Sequence, residues 1–157
     1  MHGPLHIETT FAQCRHSDIR CRERWHESER NPHIDGFFES GLQTTYTTAS
    51  AGSGTLTEVT FTLGLAIFVD EAIRQVSAEY DEVLEHERRH ATDFFAEFDI
   101  LIAALREVSS ITTDQLRVYL DWFDYKVMVR TVNYHRSIGQ REEVAVPPMS
   151  TDPYGRR

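Results

Sequence analysis

Five consecutive residues, His86-Glu87-Arg88-Arg89-His90, have the types and spacing that metal-assisted hydrolysis needs. Histidines four apart on a helix stand one above the other on one face, so two imidazoles can reach a single zinc ion. The glutamate beside the first is then placed to act on a zinc-bound water. Zinc brings the pKa of that water down to about 7, and a neighbouring carboxylate takes the proton as the water attacks a polarised carbonyl. In a shuffled chain with the same 8 His, the pattern would arise somewhere with a probability of roughly 0.04. The motif therefore points to peptide-bond hydrolysis without proving it. A solvated helix rich in Glu, Arg and His is the bland alternative.

A catalytic zinc takes a third protein ligand. Asp93 and Glu97 share the helix face of His86 and His90, but Asp93 lies about 10 Å along the axis from His86, too far for both to bind one ion at about 2 Å. They are better placed as supporting or surface groups. His135, in Val132-Asn133-Tyr134-His135-Arg136, is the first choice for the third ligand. Asp121, Asp124, Glu142 and Glu143 remain as acidic alternatives that would make a site of two histidines and one carboxylate. Tyr125 or Tyr134 could donate a hydrogen bond to an oxyanion, although core packing is the commoner role of such tyrosines. Arg88 and Arg89 read as the solvent face of the helix.

The elements that must carry these residues are two helices and a strand-rich first half. Tyr80, Leu84, Glu87, Ala91, Phe94, Phe95, Phe98, Ile102 and Leu105 fall on one side of a helix within residues 70–108, with a break or restart near Ser77. A second amphipathic helix opens at Thr112, where Gln115 completes a capping box, and carries Leu116, Leu120, Phe123, Val127, Thr131 and Tyr134. The short link through Ser109 and Ser110 predicts antiparallel neighbours. Residues 7–11, 42–48 and 56–69 favour strands, the last two joined by a Gly- and Ser-rich turn. Residues 15–35 read as loop or short helix, and 141–157 as an irregular C-terminal tail.

With 157 residues and 40% hydrophobic content the chain fits one compact domain, expected over residues 1–140. A net charge of −9, with both signs interspersed, speaks against a phosphate backbone as partner, so nucleic acid is not expected. No apolar run is long enough to span a membrane. The start of the chain lacks the basic and apolar regions of a secretion signal. No phosphate-binding glycine loop, serine elbow or cysteine nucleophile pattern is present. Cys14 and Cys21 are the only cysteines; their spacing is compatible with a local disulfide and equally with two reduced thiols.

A strand-rich first half, Leu84-Glu85-His86-Glu87-Arg88-Arg89-His90 on a long helix, and a later Tyr134-His135-Arg136-Ser137-Ile138-Gly139-Gln140 together resemble the predicted secreted zinc-dependent proteases of bacteria. The likeness covers residues 40–141 and is specific only at these motifs. It departs from the family pattern at Asn133 and Arg136, where the family has Thr and Gly. The resemblance implies that His86, His90 and His135 hold zinc and that Glu87 is the base. It also implies a secreted or periplasmic setting, which favours a Cys14–Cys21 disulfide.

The sequence thus predicts an α+β, zincin-like fold, with a small, mainly antiparallel sheet packed on two long helices. Its expected activity is that of a zinc metallopeptidase acting on a peptide or protein substrate. An extended peptide is expected to add to an exposed strand, with 56–69 the best candidate. The competing readings are a binding module with a structural metal and an interaction protein in which the motif is accidental.

Overall fold

The structure, a computed structural model, describes residues 5–11, 23–26, 36–49, 54–70, 73, 77–140 and 151–155. Four strands, β1 (His6–Phe11), β2 (Glu23–His26), β3 (Gly36–Thr48) and β4 (Leu56–Asp70), precede two helices, α1 (Ser77–Glu107) and α2 (Thr113–Ser137). The class is α+β, as the sequence predicts.

β4 is the organising strand, because β1, β2 and β3 all hydrogen-bond to it. Its odd-numbered residues Val59, Phe61, Leu63, Leu65, Ile67 and Val69 are all buried, the period of two that an extended chain needs to turn one face to a core. β3 pairs with β4 at the ends that adjoin in sequence. Ala49 N–H donates to the Thr55 carbonyl at 2.9 Å and the Thr57 hydroxyl to the Thr47 carbonyl at 3.2 Å, the falling and rising numbers of an antiparallel hairpin. Gly54, at φ 66°, supplies the left-handed residue of that turn.

The sheet is mixed, β2 running parallel to β4 with Glu23 opposite Ile67 and His26 opposite Asp70. Two expectations need correction. β2 falls where the sequence reads as loop or short helix: a four-residue strand is too short to show a period against its charged surroundings. Finally, β4 is not an edge strand, so 56–69 cannot receive a peptide as the sequence suggested. Its Thr-rich stretch marks β propensity, which central and edge strands share.

The chain divides into two compact units, whose boundaries run through β1, β3, β4 and α1. In the unit of residues 8–45 and 60–92, Ile67, Val69, Ile73 and Leu84 form a buried cluster, with Phe38, Tyr80 and Val83 packed against it. The end of β4 and the start of β3 therefore lie on the first half of α1. Gly36 is required there: a Cβ on it would stand 2.6 Å from Val83 Cγ1 and 2.9 Å from the Phe68 carbonyl oxygen.

In the unit of residues 1–7, 46–59 and 93–157, aromatic rings join the two helices. Phe123 of α2 meets Phe94 at 5.3 Å and Phe98 at 6.2 Å between ring centroids, both edge to face. The expected capping box is formed, with Gln115 N–H donating to the Thr112 hydroxyl at 3.2 Å and Thr112 N–H to Gln115 Oε1 at 2.9 Å. Leu56 N–H donates to the Ile111 carbonyl and Thr113 N–H to the Gly54 carbonyl, tying the hairpin turn to the start of α2. Within the stretch expected to be an irregular tail, Tyr154 is fixed: its hydroxyl donates to the Tyr119 carbonyl at 3.2 Å and its ring lies 5.0 Å from that of Tyr119.

Among the described residues no helix is long and apolar enough to cross a membrane. Cys14 and Cys21 lie outside the described residues, as do Glu142 and Glu143.

Candidate metal centre

α1 positions the first part of the site through helix geometry alone. His86 and His90, one turn apart, bring their Nε2 atoms to 3.1 Å, with the rings edge to face at 4.8 Å between centroids. Two nitrogens bound to one tetrahedral zinc at 2.0–2.1 Å stand about 3.3 Å apart, so the pair is already close to the spacing of ligands on one ion.

Glu87, between them in sequence, is buried at 4% exposure. The stripe predicted for α1 thus holds at its only acidic member, and Leu84, Ala91, Phe94, Phe95, Phe98, Ile102 and Leu105 are buried with it. Burial pushes the Glu87 carboxyl up to about 7, against the opposing pull of the Phe38 backbone N–H that donates to it. A carboxyl so placed exchanges a proton near neutral pH, the property a general base needs. β3 is thereby the strand whose backbone reaches Glu87.

His135 stands in the last turn of α2, half-buried, with its carbonyl accepting from Gln140 N–H at 2.8 Å and its ring 6.0 Å from that of Tyr134. The ligand-capable nitrogens of His86, His90 and His135 all lie within 4.8 Å of one another, a group that could hold a metal ion. Three imidazoles are a donor set that suits zinc and leaves a fourth tetrahedral position open. His6, Glu8 and Glu58 form another group of similar spread, but His6 and Glu8 are exposed, and surface acidic groups need no ion.

Of the acidic alternatives for the third ligand, the described ones, Asp121 and Asp124, do not join the three histidines. Asp121 and Asp124 are exposed on α2, where partial loss of water around Asp124 and the charge of Asp121 raise the Asp124 carboxyl above its usual range. Tyr125 packs its ring on Trp122 at 5.3 Å, with Lys126 over the same indole at 5.9 Å, which fits the packing role.

Asp93 and Glu97 are not surface residues. They are 4% and 3% exposed, and both meet Arg130 of α2: its Nε donates to Glu97 Oε1 at 2.6 Å, and its Nη1 lies 3.7 Å from Asp93 Oδ1. The sequence reading passed over Arg130. The available signal was the pair of carboxylates at positions i and i+4 on the apolar side of α1, since buried carboxylates call for a cation.

No family model, curated protein or solved structure matches the chain.

Proposed function

We propose that the protein is a zinc metallopeptidase in which His86, His90 and His135 hold the metal and Glu87 is the general base. The observation that carries this reading is the gathering of three imidazoles within 4.8 Å beside a buried glutamate of the same helical turn. Zinc bound there would supply Lewis acidity, making a coordinated water acidic enough to attack and polarising the substrate carbonyl. Glu87 would accept the water's proton and pass it to the leaving amine, a task suited to a carboxyl whose pKa burial holds near 7. Tyr134, its ring 6.0 Å from that of His135, would be a phenol available to donate to a developing oxyanion. A peptide added along β3 would run toward Glu87, because the Phe38 N–H of that strand already touches its carboxylate.

Elemental mass spectrometry of the purified protein tests the first part. About one zinc per chain, lost in His86→Ala, is expected; no zinc in the unmodified protein after incubation with it at neutral pH would refute the centre. Turnover of an unfolded protein substrate tests the second. Glu87→Gln is expected to keep zinc and lose hydrolysis. Zinc bound by an unmodified protein that cleaves no peptide would make the centre a structural one.

A further inference from the structure

The proposed chemistry leaves two buried carboxylates of α1 unused. Asp93 and Glu97 sit one turn apart with side chains 6% and 3% exposed, and Arg130 bridges them from α2 while remaining 36% exposed itself. Such clusters add little to stability, because the cost of removing the charges from water cancels most of their attraction, and apolar replacements often serve as well. Their best-attested use is to fix register between packed helices.

Register is what the third ligand depends on. The aromatic contacts of Phe123 with Phe94 and Phe98 pack the helices together, and a guanidinium that must face two carboxylates adds a directional constraint on their register. His135 follows Arg130 by about 7.5 Å along α2, while His90 and His86 precede Asp93 by about 4.5 and 10.5 Å along α1. A slip of α2 by one turn, about 5.4 Å, would carry His135 away from the other two.

We propose that Arg130, through Asp93 and Glu97, is the positioning residue that sets α2 in register on α1 and so delivers His135 to the metal centre. The proposal rests on the reading of His86, His90 and His135 as zinc ligands. Arg130 touches no reacting atom.

The test measures zinc affinity of the full chain by chelator competition, with thermal unfolding of the metal-free protein as the control for folding. Two variants are compared with His135→Ala: Arg130→Met, and the neutral set Asp93→Asn/Glu97→Gln/Arg130→Met, which leaves no buried charge unpaired. Both are expected to fold without metal and to bind zinc about 10–100-fold more weakly than the unmodified chain. Adding His135→Ala to Arg130→Met should then cost nothing beyond His135→Ala alone, because the ligand is already lost. Unmodified affinity in a folded variant, losses that multiply in the combined one, or failure of both variants to fold without metal would each overturn the proposal. Failure of the zinc reading is distinguishable, since the unmodified chain itself would then take up no zinc.

Discussion

The two halves of α1 treat polar side chains on one helix in opposite ways. In the first half, His86 and His90 are half-buried and turned toward one another, and Glu87 is buried among apolar residues with its carboxyl raised to about 7. In the second half, Asp93 and Glu97 are buried to the same degree as Glu87, but a cation on α2 meets both. The rings of Phe94, Phe98 and Phe123 seal that end. Histidines that could hold a metal ion are thus followed directly by carboxylates paired with a cation. The lesson is that a buried carboxylate on the face of a metal motif is not by that fact a ligand: its partner decides its role.

The comparison can be broken from either end. The largest expected effect is on chemistry at the first half. Glu87→Gln should lower hydrolysis by about 10²–10⁴-fold while zinc content and the unfolding temperature of the protein hold. Loss of zinc along with activity would make Glu87 a support of the site instead. At the second half, Phe123→Ala should cost about 3–5 kcal/mol in denaturant unfolding, since a fully buried ring packed on two others would leave a cavity. A cost below about 1 kcal/mol would show that this end of the helix pair is not close-packed.

Smaller effects sharpen the contrast. Gly36→Ala places a methyl against Val83 and the Phe68 carbonyl, and is expected to cost about 1–3 kcal/mol and to disturb the Phe38 contact with Glu87. Amide exchange at Phe38, measured by NMR, would quicken if that contact loosens. Thr112→Ala removes the hydroxyl of the capping box and should cost about 1 kcal/mol, read by denaturant unfolding. Because the cap lies at the far end of α2 from His135, zinc affinity of the folded variant should not change. A parallel loss of affinity would show that α2 responds as a whole.

Much of the site was written in local spacing. The buried stripe of α1, the capping box at Thr112 and the meeting of His86 with His90 all follow from the 3.6-residue period and from contacts no more than four residues apart. The choice of His135 over acidic residues could be reasoned toward, but not closed, because it lies 45 positions after His90 and periodicity carries no information over that distance.

What the sequence by itself determined is therefore the two helices, the capping box that opens α2, and the histidine pair with its neighbouring glutamate. Only the tertiary structure decided that β4 lies at the centre of the sheet, that β2 pairs with it in parallel, that Arg130 meets Asp93 and Glu97, and that His135 comes within reach of the pair. The physical reason is one of range. Backbone hydrogen bonds within a turn fix side-chain direction from sequence alone, whereas partners between distant segments are selected by the burial and charge pairing of the whole chain.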